Sequence, residues 1–216
     1  MRYIEAMGVS SLWVVAMFHF FPAIAMIPII INRPDTFSKD WLKASIAGVL
    51  VGAGFVFYAL GLIVASVTKT VVLFYMTPIW STIFAYFIIS ERAGWGRWVA
   101  IFGALFGCAL VMNLNAFEMQ LEPADLLGLL SGVFWALGSV MIRRYRNINF
   151  IQITFLQYIF GGGMAIAAAF YLGTTAPDFN VFLMAAPIAL FASAFIFMPT
   201  ALLVFRIMQY VSPGLV

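Results

Sequence analysis

The sequence has little charge. Only 9% of its 216 residues are Asp, Glu, Lys or Arg, where an ordinary soluble domain carries about 25%. It has one cysteine, Cys108, which excludes an internal disulfide framework and any Cys-x-x-Cys metal or redox site. It has one histidine, His19, which excludes a multi-histidine centre. What fills the chain instead is apolar: 65% hydrophobic and 17% aromatic, with a mean hydropathy of +1.08. A globule of this size still exposes roughly a third of its unfolded surface, so so much apolar material cannot all be packed inside. A soluble enzyme, a disordered chain and a nucleic-acid binder are excluded. The net charge of +3 does not reverse this, because the basic residues lie in short separated clusters.

Seven apolar stretches account for the composition: 10–32, 44–65, 70–90, 98–114, 126–142, 150–173 and 181–204, called spans a to g. Each is near the ~20 residues that cross ~30 Å of hydrocarbon at 1.5 Å per residue. Near-continuous runs of this length predict helices, because hydrocarbon offers no partner to free backbone groups and a β-barrel would alternate over ~10 residues. The fold class expected is an all-α polytopic membrane protein with about seven complete spans. Its direct partners are the lipid bilayer and a small-molecule substrate, with no nucleic acid. Oligomerisation is left open, and no cofactor or metal is expected.

Lysines and arginines orient the spans. Arg33, Lys39 and Lys43 lie between a and b, Arg92 and Arg97 between c and d, Arg143, Arg144 and Arg146 between e and f, and Arg206 after g. The opposite side holds only Arg2 and Lys69, with an acidic d–e connection (Glu118, Glu122, Asp125). Positive charge is retained on the cytoplasmic side, so the a–b, c–d and e–f loops are expected in the cytoplasm of a bacterial-type inner membrane. The N-terminus then faces outside, although Met1 to Glu5 carry no signal-peptide pattern.

An internal repeat gives this a reason. Tyr75-Met76-Thr77-Pro78 and Tyr210-Val211-Ser212-Pro213 share Tyr-x-[Ser/Thr]-Pro at a separation of 135 residues. The same shift lays span g over span b and puts the counterpart of span e before Met1. The repeat unit is then five spans. An odd number inverts the halves, which is a transporter signature with the substrate near the midplane between them. Residues 1–114 and 115–216 are the expected halves, the first lacking its opening helix and the second cut in its fourth.

The runs 73–92 (LFYMTPIWSTIFAYFIISER), 103–107 (GALFG) and 129–144 (LLSGVFWALGSVMIRR) resemble the EamA domain of the drug/metabolite transporter superfamily. The resemblance covers nearly the whole chain. It implies ten helices in two inverted repeats with both termini cytoplasmic, spans a to g matching helices two to eight. It implies a secondary transporter of small metabolites, often an exporter, whose pathway is lined by every span but the peripheral d.

Candidate pathway residues follow. Ser131, Trp135 and Ser139 share one face of span e, beside Gly128 and Gly132. Tyr75, Pro78, Thr82 and Tyr86 align in span c, where Pro78 removes a backbone hydrogen bond and can serve as a gate hinge. Tyr58 in span b needs a partner for its hydroxyl. Gln157 in span f should face protein or water. Pro199 in span g is a second hinge. His19 lies about 14 Å into span a, near the midplane, and an intramembrane ionisable group is by default a functional candidate. Each has a plainer reading: tyrosines anchor at interfaces, a lone histidine bonds a neighbouring helix, and the Gly48–Gly52 and Gly103–Gly107 pairs pack helices.

No Asp or Glu falls inside the seven spans, so a carboxylate proton relay has no residue. The expectation is an exporter or facilitator of an amino-acid-like or amphiphilic solute working by alternating access. The alternative is an inactive or partner-dependent membrane fragment. An intramembrane enzyme ranks behind both. It would need a nucleophile beside a base, and Gly128-Leu-Leu-Ser-Gly132 is one residue too long for Gly-x-Ser-Gly.

Overall fold

The computed structural model describes residues 2–33, 36–37, 40–111 and 122–212. Lys39, Glu118, Pro213 and the boundary expected at 114/115 lie outside these residues. Among the described residues ten α-helices follow one another: α1 (Arg2–Glu5), α2 (Ser11–Ile31), α3 (Trp41–Val64), α4 (Val67–Phe74), α5 (Thr77–Ile89), α6 (Trp95–Val111), α7 (Leu126–Arg144), α8 (Phe150–Tyr171), α9 (Phe179–Ala192) and α10 (Met198–Met208). There is no strand among the described residues.

Among the described residues six helical rods are long and apolar enough to cross a bilayer: Ser11–Ile31, Trp41–Val64, Val67–Ile89, Pro123–Arg144, Phe150–Tyr171 and Phe179–Met208. The 17-residue α6 lies at the lower limit of spanning length. The chain is thus a polytopic helical membrane protein.

Two rods are broken near a proline. In Val67–Ile89 the break is at Tyr75–Met76, and Pro78 opens α5, where its missing N–H is not needed. In Phe179–Met208 a wider π turn, Ser193–Phe197, precedes Pro199 in the first turn of α10. Pro199 cannot donate to the carbonyl four residues back, and the widened turn accommodates that gap. Pro22, Pro28 and Pro187 lie within helices as well.

The bundle is organised around α3. It lies along α7 on one side and α8 on the other, while α8 also lies along α2, and α9 to α10 pack on α2 and α8. Close approach comes from glycine. A Cβ on Gly48 would sit 2.9 Å from the Gln157 nitrogen, and one on Gly52 would sit 3.0 Å from the Gly161 nitrogen. The Gly48–Gly52 pair therefore packs α3 directly on the α8 backbone. Gly103–Gly107 does not follow the expectation of packing. Among the described residues neither has any atom within 4 Å of an added Cβ, and α6 makes no broad contact with another described helix. The motif is the same, but here it faces away from the bundle.

Candidate functional site

A row of rings runs through the middle of the bundle, built from five helices. It starts at Tyr158 of α8, whose ring lies 6.1 Å from the His19 imidazole of α2. His19 lies 6.0 Å from Phe55 of α3. Phe55 meets Trp135 of α7 at 4.8 Å, and Trp135 lies 6.4 Å from Phe74 at the end of α4. Phe74 then touches Tyr58 of α3 at 4.8 Å and Tyr75 at 6.3 Å. At the far end the Tyr158 hydroxyl donates to the Phe197 carbonyl in the π turn, at 2.9 Å.

Local structure explains the spacing. Gly54 lets α7 approach so closely that a Cβ there would be 2.9 Å from the Trp135 nitrogen, which brings the neighbouring Phe55 onto the indole. The break at Tyr75–Met76 leaves Phe74 at a helix end, against Trp135 and Tyr58. Gly161 leaves the space that the His19 ring fills, since an added Cβ would lie 2.7 Å from Nε2. The rings are not sealed: Phe55 is 40% and Tyr75 52% exposed.

Two buried polar groups adjoin the row. The His19 Nδ1 is 2.8 Å from the Val15 carbonyl. A carbonyl only accepts, so Nδ1 carries a proton, and in the uncharged ring Nε2 presents a lone pair. That Nε2 has no hydrogen-bond partner among the described residues, and neither has either polar atom of the Gln157 amide, one turn before Gly161 on α8. Leaving such groups unpaired costs about 1–3 kcal/mol each, which marks them for explanation.

The structure thus brings His19, Tyr58, Tyr75 and Trp135 into one row, with Gln157 beside it. Ser139 is packed, its hydroxyl donating to the Ala136 carbonyl at 2.7 Å. Ser131 does the same to Gly128 at 2.6 Å, so of the span e stripe only Trp135 reaches the row. Thr82 donates to the Pro78 carbonyl at 2.8 Å and lines a separate cleft between α5 and α6. Pro78 and Pro199 flank the two helix breaks. Sequence reasoning missed Phe55, Phe74 and Tyr158. The adjacency of Phe55 to Gly54 and of Phe74 to the Pro78 turn was the available signal.

The two ends of the bundle are tied by charge. At one, Lys69 of α4 pairs at 3.0 Å with Asp125, which also accepts from the Glu122 N–H at 2.8 Å. At the other, Glu91 accepts from Arg97 at 3.1 Å and from the Ser212 hydroxyl, to which Arg97 also donates. Arg143 donates to the Gln209 carbonyl at 2.6 Å and Arg144 to the Ile88 carbonyl at 3.0 Å. Burial pushes the Glu91 carboxyl up. The bonds from Ser212 and Arg97 and the charges of Arg97 and Arg143 outweigh it and hold it below the usual carboxylate range. No group of three His, Cys, Asp or Glu side chains is placed to hold a metal among the described residues.

The family model of EamA-like transporters matches residues 1–113 and 122–216. The chain belongs to the EamA-like transporter family. It is accordingly an integral membrane protein. It is 26% identical over 157 residues to an S-adenosylmethionine uptake transporter of Rickettsia bellii, covering 69% of this chain and 52% of that protein. It is 26% identical over 132 residues to the S-adenosylmethionine uptake transporter of Rickettsia prowazekii, covering 58% and 43%. The chain spans about half the length of the curated relatives it matches. A solved crystal structure aligns with 98% of this EamA-like chain and 75% of its own, with a TM-score of 0.71 at 17% identity, which is a likeness of fold.

Proposed function

We propose that this EamA-like protein is a secondary transporter that moves a small amino-acid-like or amphiphilic metabolite across the cytoplasmic membrane, with the ring row as its substrate path. The observation that carries the reading is the row itself. Six rings from four helices and the imidazole of a fifth form a continuous series, and two of its rings keep open faces. Aromatic faces hold organic cations and flat heterocycles without the desolvation of a fixed charge. The His19 lone pair and the Gln157 amide supply an acceptor and a donor–acceptor pair for the polar end of such a solute.

The names of the Rickettsia relatives make S-adenosylmethionine the first substrate to test. It combines a sulfonium cation, an adenine ring and an amino-acid end, each of which has a counterpart in the row. The pairing of α3 with α8 and of α9 to α10 with α2 supports two inverted halves, residues 1–114 and 115–216, that rock about α2 and α8. The breaks at Pro78 and Pro199 are the hinges. Arg97, Arg143 and Arg144 gather at one end of the bundle, and that end is cytoplasmic. Acidic side chains among the described residues sit only at span ends or in connections, so net flux follows the substrate gradient without a proton relay.

Proteoliposomes carrying the protein test this with radiolabelled S-adenosylmethionine. Saturable flux that needs no proton gradient, and whose pH profile His19→Gln leaves unchanged, is expected. Flux no greater than in protein-free vesicles, for this solute and for a panel of amino acids, would sink the reading.

A further inference from the structure

Away from the ring row, the end of α5, the connection 90–94 and the start of α6 enclose a cleft of about 360 Å³. Tyr86, Phe87, Arg92 and Trp98 are among the residues that line it. It opens on the outside of the bundle, where Phe87 is 75% exposed and Tyr86 52%. We infer that this cleft is a binding site for an anionic phospholipid, with Arg92 on the phosphate and the acyl chains along the seam between α5 and α6.

Charge points to the headgroup. Arg97, Arg143 and Arg144 at the same end of the bundle are each engaged with Glu91, Gln209 or Ile88. Arg92 has no ion-pair or hydrogen-bond partner among the described residues, yet it is the cation of this cleft. Its depth fits as well. The guanidinium is on the connection just beyond two spanning helices, with a tyrosine and a tryptophan beside it, which is the level of the interfacial aromatic belt and of lipid phosphates. A guanidinium matches a phosphate diester bidentately.

The seam itself points to lipid rather than to a free anion. Trp98 stacks on Phe102 at 6.0 Å, and Phe102 and Phe106 are exposed farther along α6. Gly103 and Gly107, with no described atom within 4 Å of an added Cβ, leave the adjoining outer face of α6 open as well. A soluble anion would gain nothing from these faces, whereas acyl chains would cover them.

The test is native mass spectrometry of the purified protein titrated in detergent with phosphatidylglycerol, phosphatidylcholine or glycerol phosphate. Phosphatidylglycerol is expected to be retained over phosphatidylcholine by at least about fivefold, the worth of one basic side chain at an anionic surface. Arg92→Gln should remove that preference, and Arg146→Gln, an arginine that does not line the cleft, should keep it. Phe87→Ala should weaken both lipids alike. Equal retention of the two lipids, a preference that survives Arg92→Gln, or displacement of phosphatidylglycerol by millimolar glycerol phosphate would each overturn the proposal. So would a protein that retains no lipid because a second copy covers the cleft. Arg92 is exposed in a connection, and an unchanged melting temperature of Arg92→Gln separates lost binding from lost fold.

Discussion

Phe55 of α3 and Trp135 of α7 meet as perpendicular rings, with centroids 4.8 Å apart and planes at 87°. This edge-to-face contact is the middle link of the row, because Phe55 continues to His19 and Trp135 continues to Phe74. It exists because Gly54 brings the two backbones together, so a packing device sets the geometry of the row.

Removing the indole divides the row. Trp135→Ala leaves His19, Phe55 and Tyr158 on one side and Phe74, Tyr58 and Tyr75 on the other. One aromatic contact to a bound solute is worth about 0.5–1.5 kcal/mol, so losing the indole face should raise KM by about two- to tenfold. Trp135→Phe should recover most of the loss. Tyr58→Ala, at the margin of the row, should raise KM less. Initial rates of solute flux in proteoliposomes measure all three, and unchanged KM in both alanine variants would remove the row from the path.

His19 and Gly161 form a second linked pair. The ring is held by the Nδ1 bond to Val15 and bounded by Phe55 and Tyr158, so it cannot swing aside to admit a methyl group. Gly161→Ala should therefore destabilise the protein by about 1–3 kcal/mol, as overpacking does. In the double variant with His19→Ala the clash is gone. The two effects should then fall short of adding, with a coupling of the same order. Melting temperatures in detergent for the four proteins complete the cycle, and additive losses would show that the ring is not what fills the space beside Gly161.

The carboxyl of Glu91 sits below its ordinary value of 4.5, held there by Ser212 and Arg97 against the opposing effect of burial. A depressed carboxyl contributes stability that is complete above the ordinary value and disappears as pH falls through the lower, folded one. The tie between the 90–94 connection and Ser212 should thus be unaffected between pH 7 and about pH 5 and weaken below about pH 4. Because the pair is partly open to solvent, Glu91→Gln should cost about 0.5–1 kcal/mol at pH 7. The gap between the two proteins should close in acid. Melting curves at a series of pH values read it out, and a gap that widens in acid would contradict the assigned sign.

Span positions were legible because an apolar run of about twenty residues is its own signal. The run read at 70–90 is Val67–Ile89 in the structure, and that at 44–65 is Trp41–Val64. The proline breaks were legible for a similar reason, since a missing N–H has a fixed consequence. Facing was not legible. A helix apolar on all sides carries no stripe that tells which side meets protein and which meets lipid. Phe55, Phe74 and Tyr158 therefore looked like any of the other Phe and Tyr residues in the spans. Ser131 and Ser139 looked available because nothing in their spacing shows that each hydroxyl is spent on its own helix. The π turn at Ser193–Phe197 left no trace beyond Pro199.

The two Gly-x-x-x-Gly pairs turn that lesson into a measurement. Gly48 and Gly52 meet the α8 backbone, and backbone cannot yield as a side-chain tip can. Gly48→Ala and Gly52→Ala should each destabilise by about 1–3 kcal/mol. Gly103 and Gly107 meet none of the described residues, so alanine there only exchanges a poor helix former for a good one. Gly103→Ala and Gly107→Ala should leave the stability unchanged or raise it, by up to about 1 kcal/mol each, read as an unchanged or higher melting temperature. The contrast separates motif from context. If alanine at Gly103 proves as damaging as at Gly48, then α6 is pressed against another helix in the membrane. The cleft beside it would then have no room for lipid. If it is neutral while Gly48→Ala is not, the α3–α8 contact is the one that holds the bundle, and the outer face of α6 is open to the bilayer.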